Sequence, residues 1–171
     1  VATATAPGLS DVMVNSLYED ARGQLWVGTM EGLDRLQIDS GHIRHFLSDA
    51  HDPHTLSGNR VRSIQPARNG ALWIGTHSGL NRIWQRANGS VQIDRFLPPA
   101  DQTDVSTTIY GILEDAIGQL WLSTNNGVLL FNPAQGTFRH FGIGDGLKHP
   151  EFNVGAALRL ASGRRVLGGM G

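Results

Sequence analysis

The chain has 171 residues, of which 14 are Lys or Arg and 15 are Asp or Glu, so its formal net charge at neutral pH is -1. Hydrophobic residues make up 40% of the sequence and charged residues 17%, a composition typical of a folded domain rather than of a disordered chain. The balanced charge argues against a nucleic-acid partner, and the absence of a long apolar stretch argues against insertion of this segment into a membrane.

Two residue counts narrow the chemistry. The sequence has no Cys, which excludes disulfides, thiolate-bound metals and thiol catalysis. It has 22 Gly, an excess that predicts many tight turns.

An internal repeat organises the chain. Trp26, Trp73 and Trp121 are 47 and then 48 residues apart, and the sequence around each tryptophan is nearly the same. A fourth, shorter copy places Gly163 and Gly168 at equivalent positions. The positions that carry the three longer copies are Asp20, Gly23, Trp26, Gly28 and Gly32, then Gly70, Trp73, Gly75 and Gly79, then Asp115, Gly118, Trp121 and Gly127.

Each copy predicts four short β-strands. In the first copy, strands rich in Val, Leu and Trp are separated by a turn that ends at Gly23 and by a second turn that ends at Gly32. A third strand follows from Leu33 to Ile38, and a fourth ends at Phe46. Turn signals recur every 8 to 12 residues or so, and no segment has a sustained helical periodicity.

Four antiparallel strands in about 47 residues make one blade of a β-propeller, so we predict an all-β chain. The expected blades lie near 14–46, 61–96 and 109–141, with a truncated blade over 154–171. Closed propellers need about 4 to 8 blades, so a chain of about 3.5 blades predicts an incomplete propeller. Its open ends would present apolar faces that pack on further blades or on a second copy.

The repeat resembles a known family. The segment from Asp20 to Leu33 reads Asp-x-x-Gly-x-Leu-Trp-Val-Gly-Thr-x-x-Gly-Leu, which is similar to the two-component regulator propeller repeat of bacterial sensor proteins. The loop 51–61 resembles the connection between blades in that family, and the segments 144–147, 151–156 and 168–171 resemble its last blade. Departures occur at Ala67, where the repeat has Asp, at Ser123, where it has Gly, and at 128–130 in the third blade.

The resemblance implies a function and a location. In the family the propeller is periplasmic or extracellular, and an immunoglobulin-like domain, a membrane helix and a cytoplasmic histidine kinase or diguanylate cyclase follow it. We therefore expect a ligand-sensing segment of a membrane signalling protein. An enzyme built on a propeller, such as a lyase or hydrolase, is the alternative.

Candidate catalytic and metal-binding groups are weak in this sequence. Glu19 and Asp20 are adjacent in a strand and would point to opposite faces, so they would not converge on a substrate. His51 and His54 flank Pro53 in a loop, whereas a zinc protease holds its two histidines on one helical face. We expect no catalytic residue, no metal and no cofactor in this chain.

A ligand-binding face follows from the meander. The second turn of each blade and the connection between blades share one face, and there the residues vary within a fixed repeat. Polar and aromatic groups near the start of each inner strand lie on the same face and suit a small polar solute or an oligosaccharide. The candidate ligand-binding residues are Asn15, Arg60, Arg62, His77, Tyr110, Asn125, Asn126 and Asn153.

Overall fold

The computed structural model describes residues 8–98 and 106–170. Fourteen β-strands and one short 3-10 helix, Ile143–Asp145, form the described part, which confirms the all-β prediction. No helix in this part is long and apolar enough to cross a membrane. The strands form three four-stranded antiparallel sheets and one two-stranded sheet, each in sequential order. The chain is an unclosed propeller, as the repeat predicts.

Blades 1 and 2 are complete meanders. Blade 1 consists of β1 (Val14–Glu19), β2 (Gln24–Thr29), β3 (Leu33–Gln37) and β4 (His42–Phe46). Blade 2 consists of β5 (Val61–Pro66), β6 (Leu72–Thr76), β7 (Gly79–Gln85) and β8 (Val91–Phe96).

Blade 3 is also complete, whereas the last sheet is a hairpin. Blade 3 consists of β9 (Gly111–Glu114), β10 (Leu120–Ser123), β11 (Val128–Asn132) and β12 (Thr137–Phe141). The hairpin consists of β13 (Phe152–Arg159) and β14 (Arg165–Gly169). Its register shifts between Phe152 and Ala157, so β13 bulges, and Gly155 lies within the bulge with φ of 74°.

The first strand of each sheet is the innermost one. β1 contacts β5, β5 contacts β9, and β9 contacts β13, while β13 also reaches β5 and β1. The inner strands therefore surround a common axis, and each sheet packs its face on the next sheet.

Two apolar cores fill the gaps between neighbouring blades. In the first, Trp26 and Phe46 of blade 1 pack with Ile74, Ile83 and Ile93 of blade 2. The second core places Trp73 and Leu80 of blade 2 with aliphatic and aromatic residues of blade 3, namely Ile112, Leu120, Leu122, Leu129 and Phe131. The repeat tryptophans of blades 1 and 2 thus lie between blades, as expected for a large apolar side chain.

A compensating exchange explains the departure at Ser123. In blade 1 the glycine of the Trp-x-Gly motif, Gly28, faces Ser16 of the inner strand, and in blade 2 Gly75 faces Ser63. In blade 3 the residues are reversed, because the inner strand supplies Gly111 opposite Ser123. A Cβ on Gly111 would lie 2.8 Å from the Ser123 hydroxyl. Each blade therefore has room for one side chain at this crossing.

The two ends of the arc expose apolar surface. In blade 1, Leu17 is equivalent in register to Ile64 and Ile112, which pack against preceding blades, yet Leu17 is 61% exposed. At the other end, Leu158 and Val166 of the hairpin are 58% and 47% exposed. Both ends have the apolar character that the interior blades bury.

Candidate functional site

The first turn of each blade is held by its own residues. The Oδ1 atom of Asp20 accepts hydrogen bonds from the backbone N–H groups of Arg22 and Gln24, and its Oδ2 accepts one from the Trp26 indole at 3.0 Å. Asp115 accepts two equivalent backbone bonds in blade 3. Gly23, Gly70 and Gly118 have φ of 71°, 85° and 84°, the left-handed conformation that glycine adopts without strain. These carboxylates therefore stabilise turns.

The second turn of each blade begins with a buried threonine, but the two residues at its centre differ between blades. Thr29, Thr76 and Thr124 are fully buried, and each hydroxyl donates to the carbonyl of the glycine that closes the turn. The same hydroxyl accepts the backbone N–H two residues later. The turn is therefore fixed, while its two central residues vary from blade to blade: Met30-Glu31, His77-Ser78 and Asn125-Asn126.

Three of the predicted site residues meet at a cavity on the propeller axis. The cavity has a volume of about 150 Å³ and is lined by all four inner strands. Asn15, Arg62 and Tyr110 line it, each the eighth residue before the glycine of its own first turn. Asn15 also crosses the gap between blades, because its amide donates to the Val61 carbonyl at 2.8 Å.

The fourth inner strand does not bring its candidate residue to this cavity. Asn153 is exposed and does not line the cavity, whereas Gly155 does. The bulge in β13 is the physical reason, because it shifts the strand register by the residues between Phe152 and Ala157. Counting eight residues back from Gly163 identifies Gly155, so the turn glycine is the signal that would have found it.

Two other predicted residues line a separate groove. Arg60 and His77 lie with Glu31 and Asn59 around a groove of about 480 Å³ between blades 1 and 2. The Asn59 side chain accepts the Ser48 N–H at 2.6 Å, and the His77 N–H bonds the Arg60 carbonyl at 3.1 Å. The second turns and the interblade connection therefore do share one face, but the groove lies apart from the axial cavity.

The remaining predicted residues belong to the blade 3 turn. The Asn125 side chain accepts a hydrogen bond from the Ser106 hydroxyl. The Asn126 carbonyl is 2.8 Å from His140 Nε2. Neither asparagine lines the axial cavity or the groove.

A buried Ser-Asp-His cluster in blade 1, which the sequence analysis missed, has a structural geometry. Ser10 Oγ is 2.5 Å from Asp34 Oδ1 and 3.0 Å from His45 Nδ1, and the same nitrogen is 2.6 Å from Asp34 Oδ1. In a hydrolase triad the serine and the carboxylate use different ring nitrogens, so that one nitrogen accepts the serine proton while the carboxylate orients the ring through the other. Here both use Nδ1, and the cluster fastens the segment before β1 to β3 and β4.

The described residues contain no group of three or more His, Asp or Glu side chains arranged to hold a metal ion. In the loop with His51 and His54, the His51 side chain is 99% exposed and lies 3.5 Å from Asp49. His54 is exposed as well.

A known family model matches the sequence repeat. The sequence model of the family described as "Two component regulator propeller" matches residues 8–31, 55–78 and 104–126, one segment for each complete blade. No curated protein matches the chain.

Solved structures share the fold. The extracellular domain of BT3049, assigned as a hybrid two component system of B. thetaiotaomicron, has a TM-score of 0.73 at 21% identity, over 96% of this chain and 23% of that one. The extracellular domain of BT4673, from the same organism, has a TM-score of 0.74 at 20% identity, over 95% and 21%. Virginiamycin B lyase from Staphylococcus aureus has a TM-score of 0.66 at 14% identity, over 98% and 52%.

The chain therefore spans about a quarter of the two extracellular domains. Identities this low establish the fold. The family-model matches cover three segments of the chain, and they show that each complete blade carries the repeat described as "Two component regulator propeller".

Proposed function

We propose that the chain is an extracytoplasmic, ligand-sensing and non-catalytic propeller segment of a bacterial two-component-type receptor. The observation that carries the proposal is the ring of equivalent positions around the axial cavity. Asn15, Arg62, Tyr110 and Gly155 occupy the same place in four inner strands, yet their side chains are all different. Variation at equivalent positions of a fixed scaffold is how repeat proteins build binding sites.

The location and the remaining parts of the receptor belong to the same proposal. The fold of this chain recurs in extracellular domains of B. thetaiotaomicron proteins, which supports a periplasmic or extracellular position. The receptor would add further blades, an immunoglobulin-like domain and a histidine kinase or diguanylate cyclase. Its ligand would be a small polar solute or an oligosaccharide that hydrogen-bonds Asn15 and Arg62 and stacks on Tyr110.

A double substitution tests the sensing site. Changing Arg62 and Tyr110 together to Ala in the full-length receptor should abolish ligand-dependent signalling, because both side chains line the axial cavity. The melting temperature should stay unchanged, since both side chains are only half-buried. The matched control changes Arg60 and His77 to Ala in the separate groove. Normal signalling in the first variant and lost signalling in the second would move the site to the groove.

The full-length receptor also allows a test of the enzyme alternative. A propeller lyase or hydrolase would convert its ligand, whereas a sensor returns it unchanged. Incubating the purified protein with the ligand that triggers signalling, followed by mass spectrometry of that ligand, separates the two. If the protein still converts the ligand after its cytoplasmic output domain is removed, the enzyme alternative replaces the sensor function.

The open faces suggest partners. Leu17, Leu25, Leu36 and Ile43 form the uncovered face of blade 1, at the register positions that blades 2 and 3 bury. In the receptor, a neighbouring blade would cover this face. In the isolated chain a second copy would do so, and sedimentation should then show dimers that Leu17→Glu disrupts. A stable monomer at high concentration would contradict self-association.

A further inference from the structure

The axial cavity has an unusual electrostatic composition. Besides Arg62, its described lining residues are polar and neutral or apolar: Asn15, Ser16, Ser63, Ile64, Gln65, Tyr110, Gly111, Ile112, Gly155 and Ala157. No carboxylate is among them, so the guanidinium is the one charge in the described lining. The cavity is therefore positive and rich in hydrogen-bond donors.

Arg62 has no partner in the described part of the chain. Its Nε atom is buried without a hydrogen bond, and no described carboxylate lies within ion-pair distance of it. Other arginines of blade 2 are engaged, since Arg82 binds Asp94 and Arg95 binds the Thr55 carbonyl. Arg35 and Arg44 in blade 1 also have a buried nitrogen without a hydrogen bond, but Arg62 alone among the three lines the axial cavity.

Two hydroxyls at the cavity are also unpartnered. The Oγ atoms of Ser16 and Ser63 are buried and make no hydrogen bond within the described residues. A buried donor without a partner costs free energy, and a buried charged donor costs more. The Ser123 hydroxyl of blade 3 is unpartnered as well, so the serine hydroxyls belong to the serine–glycine crossing of each blade. The charged group that the cavity leaves without a partner is the Arg62 guanidinium, and an occupant of the cavity would supply that partner.

We propose that the axial cavity binds the anionic group of the sensed ligand, a carboxylate or a sulfate, through Arg62. This inference rests on the proposed sensor function and specifies the chemistry of its ligand. A planar guanidinium binds two oxygens of such a group with charge-assisted hydrogen bonds. Tyr110 lines the same cavity and carries a phenol that can act as a further donor.

The volume of the cavity fits a small group. A protein cavity of about 150 Å³ admits a six-membered ring such as benzene. The cavity here has about the same volume and opens to solvent, so the anionic group and the ring that carries it would enter while the remainder of the ligand stays outside.

The test titrates the protein with acetate, with sulfate, and with acetamide, the neutral isostere of acetate. Binding is followed by the ¹H–¹⁵N signal of the Arg62 Nε–H and by calorimetry, which distinguishes a carboxylate from a sulfate preference. We expect saturable binding of one anion, none of acetamide, and a shift of the Arg62 signal. Arg62→Gln should weaken binding at least about tenfold, the loss typical of removing a charged hydrogen-bond partner.

The control variant is Arg86→Gln, which changes net charge equally at an exposed arginine bonded to Gln92. It should leave anion affinity within twofold of the parent, and Arg62→Lys should retain part of the binding. Equal losses in Arg62→Gln and Arg86→Gln, or no saturable anion binding, would overturn the inference. Signalling by a neutral ligand that survives Arg62→Gln would overturn it while leaving the sensor function intact. A receptor that binds anions yet never signals would instead reject the sensor function.

Discussion

Blades 1 and 3 carry the same tryptophan motif but bury it differently. Trp26 stacks on Phe46 with ring centroids 5.5 Å apart, and Trp121 stacks on Phe141 at 5.6 Å, so the local geometry is the same. Trp26 is fully buried, whereas Trp121 is only half-buried. Blade 1 is followed by a complete four-stranded blade, while blade 3 is followed by a two-stranded hairpin. The residues of the repeat thus determine the Trp–Phe contact within a blade, whereas the blade that follows determines how deeply the tryptophan is buried.

The arginine that lies over each aromatic pair also differs between the blades. Arg35 lies over Trp26 in blade 1, and Arg82 lies over Trp73 in blade 2. Blade 3 has Leu130 at the equivalent position of its third strand and lacks this contact. Its fourth strand keeps a second cation, because Arg139 lies 4.6 Å from the Phe141 ring centroid, as Arg44 lies 5.1 Å from that of Phe46 in blade 1. Blade 3 therefore retains the fourth-strand arginine contact and has lost the third-strand one.

The largest expected effect tests this difference in burial. Trp26→Ala and Trp73→Ala should each lower the free energy of unfolding by about 3–5 kcal/mol, because each leaves a cavity between two complete blades. Trp121→Ala should cost about half as much, since part of its ring already faces solvent. Urea denaturation of the three variants measures the difference. Equal losses in all three would show that burial between blades is not what stabilises the motif.

The sequence was a good guide where one blade determines the structure. Asp20 and Gly23 act within a single meander, and their spacing relative to Trp26 predicted the strands and turns. Asn15, Arg62 and Tyr110 were likewise predicted from their places in inner strands, and all three line the axial cavity.

Contacts between strands or blades were harder to predict. Asn153 lies away from the cavity because β13 bulges where it pairs with β14, and only the spacing from the turn glycine Gly163 indicates Gly155 instead. Arg60 is only two residues from Arg62, yet it lines a different groove. The exchange of Gly111 and Ser123 stayed hidden for the same reason, since each residue looks like an isolated departure until the strands are paired.

That exchange gives the next prediction, of intermediate size. Gly28→Ser should lower the free energy of unfolding by about 1–3 kcal/mol, because a side chain there would collide with Ser16 and with Val61 Cγ1, 2.6 Å from the added Cβ. Adding Ser16→Gly reproduces the arrangement of blade 3 and should recover part of the loss. A double-mutant cycle in urea should give a coupling of about 0.5–3 kcal/mol. Strict additivity would mean that the two positions in blade 1 do not share space.

The smallest expected effect concerns the residue opposite each blade's arginine. Arg35 faces Arg44 in blade 1, whereas Arg82 faces Asp94 in blade 2. In blade 1, burial and the neighbouring Arg44 charge lower the pKa of Arg35. In blade 2, burial alone would raise the pKa of Asp94, but hydrogen bonds from Arg82 and Gln92 outweigh it, and the pKa of the carboxyl is lowered. Of these two facing positions, only the one in blade 2 therefore holds a charge pair that acid can break.

Because the pKa of Asp94 is lower in the folded state, its contribution is fully present above the unfolded pKa and is lost as the pH falls through the folded value. Asp94→Asn should lower the free energy of unfolding by about 0.5–1 kcal/mol at pH 7, the size of a partly exposed ion pair. The difference from the parent should vanish in acid. Arg44→Gln, which removes no acid-sensitive pair from the facing position in blade 1, is the control and should show a pH-independent difference. Urea denaturation between pH 7 and pH 2.5 measures both variants. If the free energy of unfolding of Asp94→Asn differs from that of the parent by the same amount across this range, the Arg82–Asp94 pair is not the source of acid sensitivity in blade 2.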